Sequence, residues 1–596
     1  MEVVKMLIYE KRFSDLQYFR TDLIDKFDSA DVALLFPLKI FAWKKLCESE
    51  KDAFEEAYTY EFFLKNGMGK DYLLEVMKYF EDKKTGFMIF DEDDKKLIKE
   101  MPEQIFISLI NSINNVAFYS VNDYIYEIMP FHPQPGKLVV PKEVLKFVNK
   151  YLQSLDFEFE NVYNPFPAYY QFAYEISKNL NVTVFTESEE YSSLPYIMNM
   201  LDNANINPAF SNPINNPAYR EGHVLKKFDV TVTMIFQNLN FEAKEDVFGR
   251  FNVANKRGAN FIVTVIEHVI AQTDKKAIIF VPTGFLGRGL GVEKLLRKDV
   301  IDRRGLEAVV VLPERLFMKS LINMSMLIID KTKKNETVLF VDAKDCYKSG
   351  NKSFINMLSN IDEIFLTLKN KEEKKGFSKL VNVESIKNND YNLSPNRYIL
   401  FGSNEMLQRL EKYSSKTLGE MAEIMSSVHL NMKNGDKEVC VLQISDINDE
   451  GIIKNVKSKK HVDLSEINEE MFLKNYDVVL TSRVTTGRVG IILGKSEDET
   501  WLPGQTITVI RTNSEEEAIY LFMILRSEFG QILLESLNVG SRVGVIPTRA
   551  LRDLAIPILP EDKKKEVIEM FKKEKAIYDE IERMKQRTEK FFKSIF

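Results

Sequence analysis

The chain of 596 residues has room for about three or four domains, and its 45% hydrophobic and 28% charged residues are those of a globular protein with a sizeable core. A formal net charge of -7 excludes a uniformly basic nucleic-acid coat and leaves such a partner only local cationic patches. Cys47, Cys346 and Cys440 lie far apart and the five histidines are scattered, so no metal site is expected; with no long apolar run and no signal-peptide layout, a cytoplasmic protein off the membrane is expected.

Residues 1 to about 130 read as helical, because apolar residues recur at three- and four-residue spacing in LIYEKRFSDLQYF and YLLEVMKYF. The charge run Phe90 to Lys96 is expected to be a solvated loop. From 131 to 400, short Val/Ile-rich runs such as VTVF, FDVTVTMIF, AIIFVP and LEAVVVLP alternate with amphipathic stretches. That pattern predicts a parallel sheet with helices on both faces. GFLGRGLG (Gly284 to Gly291) lacks the Gly-Lys-Ser/Thr ending of a phosphate loop and reads as a tight strand-to-helix turn. Residues 400 to 415 read as a polar connector. Val439 to Pro560 reads as a strand-rich module closed by a helix. From Glu561 to Phe596 a charged helix carries Val567, Phe571, Ile577, Ile581, Met584, Phe591 and Ile595 along one stripe. It suits coiled-coil packing or folding back on its own domain.

Two stretches resemble one known system. AIIFVPTGFLGRGLGVEKLLRKDVIDRRGLEAVVVLPERLFMKSLINMSMLIIDK (Ala277 to Lys331), with VLFVDAKD and YNLSPNRYI, is similar to the methyltransferase domain of type I restriction-modification M subunits, in which a helical domain also comes first. TLGEMAEI (Thr417 to Ile424), VVLTSRVTTGRVGIIL, LPGQTITV, IYLFMILRSEFGQILL and GSRVGVIPTRALRDLAIPILP resemble, in order, one target-recognition domain of a type I specificity subunit. The expected fold class is therefore α/β multidomain: an N-terminal helical domain (1–130), a Rossmann-like methyltransferase domain (131–400), an α+β target-recognition domain with its linker (401–560) and a C-terminal coiled-coil helix (561–596).

The resemblance implies a glycine-rich turn after the first strand, where bare backbone approaches S-adenosylmethionine, and an Asn/Asp-Pro-Pro-Tyr/Phe loop that grips an extruded adenine. Neither is present. Alignment on Val162 and Tyr163 puts Asn164, Pro165, Phe166, Pro167 and Ala168, then Tyr169 and Tyr170, where the turn would lie. The amine-binding loop falls on Met234, Ile235, Phe236 and Gln237; a shifted reading, Asn238 to Phe241, keeps Asn and Phe but no proline. Glu187, in VFTESEE, reads either as a remnant of the cofactor-binding acid at the end of the next strand or as a surface glutamate. No catalytic residue, cofactor or metal is expected on this reading.

The recognition module carries the cations. SRVTTGRVG sets Arg483 and Arg488 around Thr485, Thr486 and Gly487, a composition that lets backbone approach a phosphate or groove wall while arginine reads phosphate or guanine. Lys433, Lys457, Lys459, Lys460, Arg542 and Arg549 complete the expected DNA-binding set, with Lys454 in the same run as Lys457. The expected function is sequence-directed binding of double-stranded DNA within a restriction-modification or related defence assembly, the methyltransferase-like domain serving as a pseudoenzyme scaffold. Expected partners beyond DNA are methyltransferase, restriction or defence subunits, or a second copy through the C-terminal helix. The alternatives are an active S-adenosylmethionine-dependent N6-adenine DNA methyltransferase and a protein-only scaffold.

Overall fold

The computed structural model describes residues 16, 19–20, 27, 29–49, 54–67, 69–82, 90–131, 138–235, 246–256, 259–287, 291–303, 305–317, 320, 322–332, 336–349, 356–403, 413–426, 437–463, 467–481, 488–537, 546 and 548–595. The chain divides into two compact units, residues 1–373 with 380–393, and residues 374–379 with 394–596.

The first unit begins with helices Ala30–Ser49, Tyr60–Lys65, Lys70–Asp82, Glu92–Glu100, Glu103–Asn115 and Val121–Ile128. Their apolar faces meet around Trp43, whose ring lies 5.2–6.4 Å from those of Tyr60, Phe63 and Phe90. The acidic run at 90–96 is not the solvated loop its charge suggests. Asp91 and Asp94 form a reciprocal capping box, and carboxylates at a helix N-terminus are favoured by the helix dipole. Lys39 draws both inward, its ammonium donating to Asp94 at 2.6 Å and Asp91 at 2.7 Å. Burial pushes the Asp94 carboxyl up to about 6.

A nine-stranded sheet follows. Its strands are β1 Asn161–Pro165, β2 Thr183–Ser188, β3 Ile206–Phe210, β4 Phe228–Met234, β5 Thr273–Pro282, β6 Leu306–Val311, β7 Met324–Asp330, β8 Thr337–Asp342 and β9 Ser378–Asn382. The spatial order is β3-β2-β1-β4-β5-β7-β6-β8-β9. β1 to β5 pair in parallel, while β7 runs antiparallel to β5 and β6. Helices α1 Gln171–Leu180, α2 Phe261–Gln272 and α3 Val292–Arg303 lie in the connections after β1, before β5 and before β6. β7 is buried at every residue, as a strand covered on both faces must be. The strand order reverses between β1 and β4. The chain leaves those neighbours in opposite directions, and beyond the carboxyl ends of such a pair lies the usual ligand position in sheets of this kind.

In the second unit the strands are β10 Ala422–Ser426, β11 Lys437–Leu442, β12 Ile452–Ile453, β13 Lys459–Val462, β14 Val478–Thr481, β15 Val489–Ile492, β16 Trp501–Pro503 and β17 Ile507–Thr512. They build two sheets, β10-β17-β14-β15-β12 and β13-β11-β16. Alternation decides the packing. Val479, Ile492, Ile507 and Trp501 join one core between the sheets, while Val478, Leu480, Ile491 and Ile510 pack with Tyr520, Leu521 and Phe522 of α4 Glu515–Arg526. The polar connector expected at 400–415 is partly structured: Asn396–Ser403 is helical and Ser415–Thr417 pairs with Ala555–Pro557.

The last helix, α5 Glu561–Ile595, follows the fold-back reading over its first half. Ile568 and Phe571 bury against the α4 face, so its first half folds back on its own module. Val567 packs partly buried beside them, while Met570, Ile577, Ile581, Met584, Phe591, Phe592 and Ile595 are exposed. Among the described residues no helix is long and apolar enough to cross a membrane, and no cluster of three or more His, Cys, Asp or Glu could hold a metal ion.

Candidate functional site

The carboxyl end of β1 is where the sheet places a ligand, and there the chain turns through Phe166. Phe166 has φ +55° and Tyr170, just before α1, has φ +54°. Glycine adopts this left-handed backbone freely, whereas a bulky side chain costs about 1–2 kcal/mol there. The turn thus keeps a glycine-like path with aromatic residues on it. The Phe166 ring sits edge-on to Phe261 at 5.4 Å, and Tyr169 and Tyr170 are buried. Pro165 and Pro167 are buried, with Ala168 half-buried beside them. Asn164 donates from Nδ2 to the Val232 carbonyl at 2.8 Å, and its buried Oδ1 has no hydrogen-bond partner.

Glu187, at the end of β2, is not on the surface: its exposure is 0%. Register sets it beside Pro165, and its carbonyl accepts the Phe166 N–H at 3.0 Å. Oε1 accepts from the Ser211 hydroxyl at 2.8 Å and the Ala218 N–H at 2.6 Å, and Oε2 accepts from the Tyr163 hydroxyl at 2.7 Å. Burial raises the Glu187 carboxyl, against the lowering effect of these donors.

The network continues inward. Arg250 can only donate, so its 2.9 Å contact with His268 fixes Nδ1 as acceptor. The proton therefore sits on Nε2, which donates to the Tyr163 oxygen at 3.1 Å, and Tyr163 passes its own proton toward Glu187. Arg250 is held by Asp246 at 2.9 Å and by the carbonyls of Pro213 and Ile214. Burial, then the Arg250 charge, drives His268 well below its usual 6.5, and burial drives the Tyr163 phenol well up.

At both positions where S-adenosylmethionine would be held, the chain's own side chains fill the space. A ribose needs an accessible carboxylate, and both Glu187 oxygens are engaged by this chain at zero exposure. A methionine moiety needs bare backbone, and the turn carries Phe166 on Phe261. At the end of β4, Met234 is half-buried and Ile235 is buried, its N–H bonded to the Phe280 carbonyl at 2.8 Å. Phe236, Gln237 and the shifted stretch Asn238 to Phe241 lie outside the described residues, as does Arg288. Tyr163, Ser211, Asp246, Arg250 and His268 had not been singled out in the sequence. The one available signal was a polar pair, Glu267 and His268, inside the apolar FIVTVIEHVI.

In the second unit Lys459 and Lys460 lie on β13, an edge strand paired antiparallel to β11, and both are exposed with Lys457 just before them. Lys459 pairs with Glu438 at 2.8 Å across the two strands. Lys454 faces α5 instead, bridging Asp579 at 2.7 Å and Glu582, so it belongs to the packing of the module. Arg488 is exposed at the foot of β15; its N–H bonds the Thr481 hydroxyl and its guanidinium donates to the Ile447 carbonyl at 3.1 Å. Arg549 lies in the short helix Thr548–Arg552. Lys433, Arg483, Thr485, Thr486 and Arg542 lie outside the described residues.

Residues 180–405 match the family model described as N-6 DNA Methylase. The chain is 34% identical over 194 residues to the type I restriction enzyme MjaVIII methylase subunit of Methanocaldococcus jannaschii, covering 32% of each chain. It is 31% identical over 135 residues to the MpnII methylase subunit of Mycoplasma pneumoniae, covering 22% of this chain and 24% of the relative. These matches span about a third or less of the curated relatives' length. The solved type I restriction-modification methyltransferase subunit of Streptococcus thermophilus superposes with a TM-score of 0.56 at 16% identity, covering 65% of this chain and 99% of that one, which shows a shared fold. Residues 180–405 are thus similar to N-6 DNA methylases, and part of the chain is similar to type I methylase subunits.

Proposed function

We propose that this chain binds double-stranded DNA at a chosen sequence through residues 401–560 and uses its N-6 DNA methylase domain as a scaffold without methyl transfer, within a restriction-modification or related defence assembly. The observation that carries the scaffold reading is Glu187, fully buried with both oxygens bonded to Tyr163, Ser211 and Ala218 of its own chain. A carboxylate so engaged stabilises the fold and, at zero exposure, is closed to a ribose. The base-reading proposal rests on the motif resemblance and on the exposed Lys457, Lys459, Lys460 and Arg488. Cations in that state cost little to bring onto phosphate, and binding should weaken steeply with salt as counterions are released.

Titration calorimetry with S-adenosylmethionine, paired with band shifts at several salt concentrations, tests both halves. The expected result is no heat of low-micromolar binding together with salt-dependent DNA affinity. Clear cofactor binding would favour the second reading, an active N6-adenine DNA methyltransferase, which the family match at 180–405 supports. No affinity for any duplex at low salt would favour the protein-only scaffold.

A further inference from the structure

On the reading of residues 401–560 as a DNA-binding module, on which this inference rests, we propose that Asn448 and Tyr578 are positioning residues for base reading. They tie the turn on which the Arg488 guanidinium rests to α5, so that the seating of α5 sets the geometry in which Arg488 meets a base edge. The turn runs from Ile447 to Gly451, just before β12, and three elements hold it. Arg488, at the foot of β15, donates to the Ile447 carbonyl at 3.1 Å. Arg526, the last residue of α4, donates to the Glu450 carbonyl at 2.6 Å and pairs with Glu574 of α5 at 2.6 Å. Asn448 donates from Nδ2 to the Tyr578 hydroxyl of α5 at 3.0 Å.

The turn is stiff enough to pass that anchorage on. Asn448 Oδ1 accepts the Ile452 N–H at 3.1 Å and its carbonyl accepts the Gly451 N–H at 3.1 Å, so the residue that reaches α5 also braces the turn. Gly451 has φ +71°, and a Cβ there would come within 2.6 Å of the Val489 carbonyl and 2.9 Å of the Phe522 ring. The turn therefore lies directly against the residue that follows Arg488, and the Gly451 carbonyl accepts the Ile491 N–H at 2.7 Å. A shift of α5 is carried through Asn448 to the Ile447 carbonyl and to the backbone of β15 together. An exposed arginine otherwise ranges over many rotamers. Holding it beforehand in one of them favours a contact that needs a single geometry, such as a bidentate base contact, over diffuse attraction to phosphates. Tyr578 thus acts through Arg488 and bears on sequence preference rather than on total affinity.

Tyr578→Phe removes the acceptor and keeps the ring beneath Lys454, whose ammonium lies 4.8 Å from its centroid, so a cooperative melting transition is expected. Band shifts of the full chain, with a duplex enriched by selection from a random pool and with a scrambled duplex of the same length, read the effect. The variant should bind the enriched duplex about threefold to tenfold more weakly. Its affinity for the scrambled duplex and the salt slope of both should stay unchanged, because every cation is kept. Asn448→Asp keeps the acceptor for Ile452 and lets the Tyr578 hydroxyl donate in the reverse direction. It should retain the ratio between the two duplexes in the wild-type background and lose it beside Tyr578→Phe. A ratio unchanged by Tyr578→Phe, or an equal loss on both duplexes, while Arg488→Ala lowers the ratio, overturns the positioning role and leaves base reading standing. No enriched sequence, or Arg488→Ala without effect on affinity or slope, overturns both.

Discussion

Two regions of the molecule, one in each unit, treat their polar side chains in opposite ways. At the carboxyl ends of β1 and β2, Glu187, Tyr163, His268 and Arg250 face one another at full burial or nearly so. On β13 and at the foot of β15, Lys457, Lys459, Lys460 and Arg488 face outward. Polar groups of the first kind hold a fold together because an unmet donor or acceptor there is expensive; those of the second kind add little to stability and remain available to a partner. The position within the fold does not by itself reveal a ligand site. What distinguishes the two regions is whether the hydrogen-bonding capacity has already been used by the chain.

The sharpest way to break this contrast is Glu187→Ala. It leaves the Tyr163 hydroxyl and the Ala218 N–H without their acceptor in a buried space, and should destabilise the first unit by about 3 kcal/mol or more. Chemical denaturation measures it. A carboxylate kept for a cofactor would instead be removed at little cost in the ligand-free protein. Tyr163→Phe should cost about 1–3 kcal/mol, because it removes one donor from Glu187 and the acceptor of the His268 Nε2–H together.

A smaller effect separates His268 from its neighbours. Its folded-state value lies well below the usual 6.5, so above about pH 6.5 the imidazole is neutral in both folded and unfolded chains and adds no slope. As pH falls below that point the unfolded chain takes up a proton that the buried ring refuses, and stability declines toward the depressed folded value. Between about pH 7 and pH 5 this group should lower stability by up to about 1.4 kcal/mol per pH unit. Asp94, whose folded value of about 6 lies in the same window, gives the opposite slope, so the His268 contribution is read as the difference from a His268 variant. His268→Asn keeps an acceptor for Arg250 and should remove that part of the slope.

Much of the fold was legible because it rests on local pattern. Strand and helix alternation from 131 to 400 reflects burial of short Val/Ile runs between amphipathic helices, and the nine-stranded sheet has that form. The aromatic filling of the β1 turn was also legible, since Phe166 and Tyr170 stand where glycine would be required. The fate of Glu187 was not. VFTESEE looks like a strand running out into solvent, and its burial is decided by Ser211 and Ala218, 24 and 31 residues away, and by Tyr163 across the sheet. The acidic run at 90–96 failed for the same reason: Lys39, 55 residues before Asp94, turns it from a solvated loop into a buried cap. Lys454 was taken with the lysines after it because nothing local reveals that Asp579, 125 residues on, lies opposite.

The smallest expected effect belongs to the exposed edge. Glu438 lies against Lys459 across the β11–β13 pair, with both side chains about half exposed at 56% and 50%. Water screens such a pair, and a DNA phosphate competes with it directly. Glu438→Gln should leave the melting temperature where it is, since neither partner is buried, while freeing one cation for the duplex. The plot of log affinity against log salt should then steepen by up to about one unit, and affinity should rise at low salt for every sequence alike. Lys460→Ala on the same strand should shift the slope by a similar amount the other way. If both variants leave the salt slope untouched, β13 does not face DNA, and the outward cations of the second unit are solvated surface like those of any other acidic protein.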